Sequence, residues 1–100
     1  MIVRVEMLGL SRLVTGEREV SLELDPEATY RDLVRALSER YPALIGNVVQ
    51  ADRESLQAPN IFNLNAKKMI QSKQMGNALA DELHPREGAR IILMSMSAGG

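Results

Sequence analysis

The sequence contains no cysteine and no tryptophan, only one histidine and three other aromatic residues, and almost no excess of charge. Without cysteine, disulfides, thiolate metal sites and cysteine nucleophiles are excluded. Twelve Lys+Arg against 13 Asp+Glu give a net charge of −1, so we expect no nucleic-acid partner, because that binding needs a basic surface. His84 lies in a predicted turn without companion ligands, which argues against a metal site. We therefore expect no enzyme active site, no metal and no cofactor bound by the chain itself.

Long apolar stretches are also missing. The longest uninterrupted run is Ile91–Met94, whereas a membrane-spanning helix needs about 20 apolar residues. Arg4 and Glu6 interrupt the apolar start, so it lacks a signal-peptide core. We expect no membrane partner and a cytoplasmic protein. The length of 100 residues and the hydrophobic fraction of 45% are typical of one globular domain, which we assign to residues 1–100 with a C-terminal tail at 97–100.

The first quarter of the sequence predicts two paired strands. Val3, Val5 and Met7 alternate with polar residues, and a second alternating segment covers residues 19–24, which is strand periodicity. The connection between them predicts a hairpin with a short helical turn, whose Leu10 and Leu13 tuck inward.

The clearest helix follows the second strand. Thr29 and Asp32 have the spacing of a capping box, and Pro42 predicts the end of the helix. The apolar positions between them repeat with a helical period: Tyr30, Leu33, Val34, Leu37 and Tyr41. One apolar stripe predicts a helix that lies on one face of a sheet.

The second half predicts three more strands. Residues 61–64 and 68–70 flank a turn at 65–67, residues 78–83 predict a short helical turn, and Arg90–Met96 is a strongly apolar last strand. Residues 43–60 give no clear pattern, and the polar segment 71–77 is expected to be exposed. The order predicts an α+β fold, a β-grasp (ubiquitin-like) mixed sheet of four to five strands with one main helix on one face. The apolar last strand suits the centre, parallel to the first.

The last strand predicts a contact surface. If Ile91 and Leu93 face the core, then Ile92, Met94 and Met96 share the opposite face, which a single helix cannot cover. An exposed apolar stripe is a candidate partner surface, and methionine suits such surfaces. The alternative is that the middle segment of the chain packs over this stripe.

The sequence ends in Gly99-Gly100, separated from the last strand by Ser97 and Ala98. Without Cβ atoms, two glycines pass through a narrow channel in any backbone conformation. The α-carboxylate is then the functional group at the tip, and adenylation converts it into an acyl donor.

These segments resemble the MoaD/ThiS family of ubiquitin-like sulfur carrier proteins, with the molybdopterin synthase small subunit as the most similar member. The resemblance covers MLGLSRLVTGEREVSLEL, PEATYRDLVRALSERYP, the Phe62-Asn63-Leu64-Asn65 segment, the segment from Leu83 to Gly88, and the ending IILMSMSAGG. Relatives often have Asn-Gly in the third-strand turn, where this sequence has Asn65-Ala66.

The resemblance implies a role for each residue of the tail. Gly100 would carry the acyl adenylate and then a thiocarboxylate, which donates sulfur in molybdopterin biosynthesis. Gly99 would give the tail clearance, and Met94 would anchor the partner. Remaining partner-contact positions are Ile92, Met96, Ser97 and Ala98. The implied partners are an adenylyltransferase related to ubiquitin-activating enzymes, which uses ATP, and a large synthase subunit or another sulfur-acceptor enzyme.

Other functions fit the same residues. A ubiquitin-like modifier would link its terminal glycine to lysine side chains, and a carrier for thiamin synthesis or tRNA thiolation would serve another acceptor. A β-grasp interaction module with incidental terminal glycines is a third possibility.

Overall fold

The computed structural model describes residues 1–83 and 90–95. In this part of the chain the strands are β1 (Ile2–Met7), β2 (Glu19–Glu23), β3 (Asn60–Leu64), β4 (Lys68–Ile70) and β5 (Ile91–Ser95). The helices are α1 (Leu10–Thr15), α2 (Tyr30–Arg40) and α3 (Leu79–Glu82). Two 3₁₀ turns, also among these described residues, cover Pro42–Leu44 and Ser72–Gln74.

The strands form one mixed sheet in the order β2-β1-β5-β3-β4. β5 pairs in parallel with β1 and antiparallel with β3, and the other two pairings are antiparallel. The most apolar strand therefore has a neighbour on each side. This arrangement confirms the predicted β-grasp, with five strands and the last strand parallel to the first.

Helix α2 begins at the predicted capping box. The Thr29 hydroxyl accepts a hydrogen bond from the Asp32 backbone N–H, and the Asp32 carboxylate accepts one from the Thr29 backbone N–H. The helix ends at Arg40, before Pro42. Four stripe positions of α2 are fully buried against the sheet, namely Tyr30, Leu33, Val34 and Leu37.

The core lies between α2 and one face of the sheet, which we call the helix-side face. Its apolar strand residues are Val3, Val5, Met7, Val20, Leu22, Phe62, Leu64, Ile70, Ile91 and Leu93. The rings of Tyr30 and Phe62 lie 6.0 Å apart, between centroids, in a tilted arrangement. The weakly patterned segment after α2 adds Leu44, Val48 and Val49, which are all fully buried.

Two local expectations are wrong. The connection between β1 and β2 does form a helix, but Leu10 is 39% exposed and Leu13 is 82% exposed, because Ser11 is the α1 residue that faces inward. The segment 71–77 is not polar surface throughout, since Met75 is 6% exposed and belongs to the core. A lone methionine in a polar segment has no periodicity to reveal its burial.

The turn between β3 and β4 uses left-handed backbone. Asn65 has φ 57° and Ala66 has φ 59°, a conformation that glycine adopts without steric cost. Asn65 also joins this turn to the start of β5, because its Oδ1 accepts a hydrogen bond from the Arg90 N–H at 2.8 Å. Among the residues described here, no helix is long and apolar enough to cross a membrane.

Candidate functional site

Most of the predicted site residues lie outside the described residues. These are Met96, Ser97, Ala98, Gly99 and Gly100, and His84 falls in the other gap. Ile92 and Met94 are described, and both lie on β5. They share the face of the sheet that points away from α2, which we call the open face.

One row of apolar residues crosses the open face where β5 ends. Ile61 of β3 is directly opposite Met94 in the antiparallel register. On the other side of β5, Met7 pairs with Leu93, so the next residue, Leu8, falls beside Met94. The Leu8 backbone N–H donates to the Leu93 carbonyl at 3.0 Å. We call Ile61, Met94 and Leu8 the apolar row; Met94 and Ile61 are half-buried, and Leu8 is 48% exposed.

Ile92 differs from the expectation of an exposed stripe, because only 6% of its surface is exposed. It does not belong to the core cluster under α2, so its burial occurs on the open face. In register, Ile92 lies between Glu6 of β1 and Asn63 of β3, both half-buried. The Glu6 carboxylate is held by Arg90 at 2.7 Å. The role of Ile92 in partner contact stays a prediction, and Leu8 is more accessible than Ile92.

The opposite end of the open face is charged. Arg4 lies 3.5 Å from Glu19 on the neighbouring strand, and Arg90 pairs with Glu6. The open face therefore changes from ion pairs near the start of β5 to aliphatic and thioether side chains near its end. Such a gradient lets an apolar contact form at one end while the other end stays hydrated.

Helix α1 lies at this apolar end of the sheet. The Ser11 hydroxyl, 1% exposed, donates to the Leu93 carbonyl at 2.8 Å and so fixes the helix to β5. Gly9 and Gly16, both with φ 72°, flank the helix, and these positive φ values suit glycine. With Ser11 turned inward, Leu13 projects into solvent and is 82% exposed.

Two residues of this surface, Leu8 and Ile61, were not predicted as site residues, and the exposure of Leu13 was not predicted either. Alternation along β1 already places Leu8 on the face of Arg4 and Glu6, so that signal was present in the sequence. The position of Ile61 opposite Met94 depends on the strand register, and the exposure of Leu13 depends on the inward turn of Ser11. Both are set by tertiary contacts.

A second polar cluster joins α2, α3 and β4. The Tyr30 hydroxyl donates to the Glu82 carboxylate, and Lys68 Nζ lies 3.6 Å from the other Glu82 oxygen. Burial, then the hydrogen bond and the negative charge of Glu82, raise the pKa of Tyr30 above its usual range. The phenol therefore stays neutral at ordinary pH, so this cluster ties elements together rather than supplying a nucleophile.

No protein-family model and no curated protein matches this sequence. Solved structures do match over nearly the whole chain. A crystal structure of SAMP1 from Haloferax volcanii is 24% identical with a TM-score of 0.75, covering 100% of both chains. A crystal structure of H. volcanii small archaeal modifier protein 1 is 23% identical with a TM-score of 0.73, covering 96% of this chain and 98% of that one.

A solution structure of the Haloferax volcanii HVO 2177 protein is 22% identical, has a TM-score of 0.71, and covers 100% of this chain and 87% of that chain. At these identities the similarity concerns the fold. The chain has the ubiquitin-like β-grasp fold of the small archaeal modifier protein.

Proposed function

We propose that this protein is a ubiquitin-like carrier whose Gly100 carboxylate is activated by a partner enzyme and then transferred, as an acyl group, to sulfur or to a lysine amine. One observation carries the proposal: the end of β5 is surrounded by the apolar row and α1. A partner that docks on this end meets the segment leading to Gly99-Gly100.

Chain length supports this geometry. Five residues follow Ser95, and an extended chain spans about 3.3–3.6 Å per residue. The terminal carboxylate can therefore reach about 17 Å from the sheet, enough to enter an active site while the apolar row contacts the enzyme surface. The small residues Ser97, Ala98, Gly99 and Gly100 keep such a segment narrow.

The chemistry needs only the carboxylate of this chain. A carboxylate oxygen attacks the α-phosphorus of ATP, the bond to the β-phosphate oxygen breaks, and pyrophosphate leaves. A nucleophile then attacks the acyl carbon of the adenylate, and AMP leaves. A lysine amine gives an isopeptide bond, whereas a sulfide donor gives a thiocarboxylate. The enzyme, not this chain, binds ATP.

Conjugation to lysine and transfer to sulfur are each supported by one observation. The similarity in fold to proteins named as modifiers supports conjugation to lysine. The sequence resemblance to MoaD/ThiS carriers supports sulfur transfer, for which molybdopterin synthesis, with a large synthase subunit as acceptor, is our second candidate.

The intact mass of the chain tests the proposal. The protein is incubated with its native activating enzyme, ATP and a sulfur source, and then measured by mass spectrometry. A C-terminal thiocarboxylate supports sulfur transfer, and adducts on lysine support modification. A chain that stays unmodified, or that extends beyond Gly100, would contradict the proposal.

Deletion of Gly100 supplies the control. Activation should be lost, measured as ATP-dependent exchange of pyrophosphate, while the melting temperature stays unchanged. A fall of several degrees would show that Gly100 acts in folding instead.

A further inference from the structure

Lysine amines are confined to one edge of this protein. Of the twelve Lys+Arg side chains, only Lys67, Lys68 and Lys73 are lysines. Lys67 and Lys68 lie at the start of β4, and Lys73 lies in the 3₁₀ turn that follows this strand. The others are arginines, whose guanidinium groups stay protonated in proteins and are not nucleophiles. Few amines of the chain can therefore attack its own activated Gly100.

The strand register places Lys73 at the same end of the sheet as the tail. Strand β4 runs in the same direction as β5, because both are antiparallel to β3. Ile70, the last residue of β4, is opposite Phe62, which in turn is opposite Leu93. The residues that follow Ile70 therefore approach the end of the sheet at which β5 stops.

A cleft at the start of β3 agrees with this position. Ser72 and Asn60 both line the cleft, and Asn60 pairs with Ser95. Neighbouring strands lie about 4.8 Å apart, so two strand spacings and one further residue put Lys73 about 10–14 Å from Ser95, between Cα atoms. Lys73 is exposed, and its four-carbon stem covers part of this distance.

The tail has the length to close this gap. Five residues follow Ser95, and a random coil of that length spans about 12–13 Å on average. Effective concentration is highest when the average span of a linker matches the distance between the two groups, and it reaches the millimolar range for short linkers. In a solution at about 10 µM, the Lys73 amine therefore meets the activated carboxyl about a hundredfold more often than an amine of a second chain does.

The remaining amines are less well placed. Lys68 lies two strands from Ile91, the first residue of β5, and its Nζ lies 3.6 Å from a Glu82 carboxylate oxygen. Lys67 precedes it and is farther still from the end of β5. The Met1 amine donates to a backbone carbonyl at 2.9 Å, at the opposite end of the sheet. These positions leave Lys73 as the best-placed amine.

We propose that Lys73 is the acceptor for the activated Gly100 of its own chain when no sulfide and no outside amine reaches the tail. The neutral amine attacks the Gly100 acyl carbon, and the C–O bond to the AMP phosphate breaks. AMP leaves with the electron pair, the amine gives up a proton to water, and an isopeptide bond closes a ring. The closed chain has no terminal carboxylate, so it is withdrawn from both transfer reactions. This assignment rests on the proposed function.

The first test bypasses the activating enzyme. The full chain is prepared with Gly100 as the thioester of a small thiol, which an amine attacks in the same way, and its mass is followed at mildly alkaline pH. Closure should give a monomer one water lighter than the free chain, with Gly100 joined to Lys73 in its fragment spectra. The rate should not change on dilution, because the reaction is intramolecular.

Two matched variants locate the acceptor in this test. Lys73→Arg keeps the charge but removes the amine and should slow closure about tenfold, whereas Lys67→Arg should leave the rate unchanged. Hydrolysis alone, a rate that falls with dilution, or equal closure in the two variants would overturn the assignment.

The second test uses the native activating enzyme and ATP without a sulfur source or an acceptor protein. The wild-type chain and Lys67→Arg should yield the closed form, and Lys73→Arg should yield about tenfold less. ATP-dependent exchange of pyrophosphate without closure at Lys73 would overturn the assignment, since the enzyme would then keep the two groups apart. If the wild-type chain shows no exchange, the proposed function fails, while closure of the thioester at Lys73 still stands.

Discussion

The two faces of the sheet bury their side chains in different ways. On the helix-side face, Val5, Phe62 and Leu93 are fully buried under α2. On the open face, exposure increases from half-buried Met94 to 48% at Leu8, and ion pairs occupy the other end. The first face resembles the interior of any domain, whereas the second has an apolar end that α2 does not cover.

This difference separates stability from recognition. Side chains under α2 contribute to folding through lost contact with water, so their replacement should act on the whole molecule. Exposed side chains at the end of β5 gain little on folding, so their apolar character needs another reason. Contact with a partner is that reason under our proposal.

Truncation within the core should have the largest effect. Leu33→Ala removes a fully buried side chain of α2 and should lower the free energy of unfolding by about 2–5 kcal/mol. Leu13→Ala makes the same change at a residue that is 82% exposed and should cost less than about 0.5 kcal/mol. Urea unfolding measures both. Equal losses would mean that the two regions do not differ as described.

Alkaline pH should weaken the helix-side structure through Tyr30. Its pKa is raised in the folded state, so the folded chain keeps a proton that an unfolded tyrosine loses near pH 10. Stability from this group is complete below about pH 10 and falls above it, by up to about 1.4 kcal/mol per pH unit. Tyr30→Phe should make unfolding less sensitive to pH in that range. Parallel curves for wild type and Tyr30→Phe would contradict this assignment.

Substitution in the apolar row should affect recognition and leave stability nearly unchanged. Leu8→Ser should raise the KM for activation about tenfold, since anchors of this kind often contribute more than about 1 kcal/mol. Ile2→Ser is the matched control, because Ile2 is 64% exposed on the same face of β1 but at its other end. Melting temperatures of both variants should stay close to wild type. Equal KM values for the two variants would remove the apolar row from the proposed interface.

Local signals in the sequence predicted the elements of the helix-side face. The alternation in β1 and β2, the Thr29–Asp32 capping box and the stripe of α2 are all read over a few neighbouring residues. The segment after α2 could not be interpreted in this way, because Leu44 reaches the core from a single 3₁₀ turn and Val48 from a non-helical turn. The burial of Met75 was not predicted, because it too lies outside a regular helix or strand.

The candidate site was only partly predictable. Met94 follows from alternation along the last strand. The burial of Ile92 depends on which residues of β1 and β3 lie beside it, and the exposure of Leu13 depends on the hydrogen bond from Ser11 to β5. Both are contacts between segments far apart in the sequence, so no local pattern contains them.

The turn between β3 and β4 gives the smallest expected effect and tests the charged end of the sheet, away from the apolar row. Ala66 has φ 59°, and a left-handed conformation costs a residue with a Cβ atom about 1 kcal/mol. Ala66→Gly should therefore stabilise the chain by about 0.5 kcal/mol, because the relief of strain is partly offset by the greater freedom of glycine when unfolded. Ala80→Gly, the same change in the exposed part of α3, should instead destabilise it by about 0.5–1 kcal/mol. Thermal unfolding distinguishes the two signs. Neither variant should change activation, because this turn lies away from the apolar row. A fall in activation with Ala66→Gly would extend the partner surface to the end of the sheet where Arg90 and Glu6 pair.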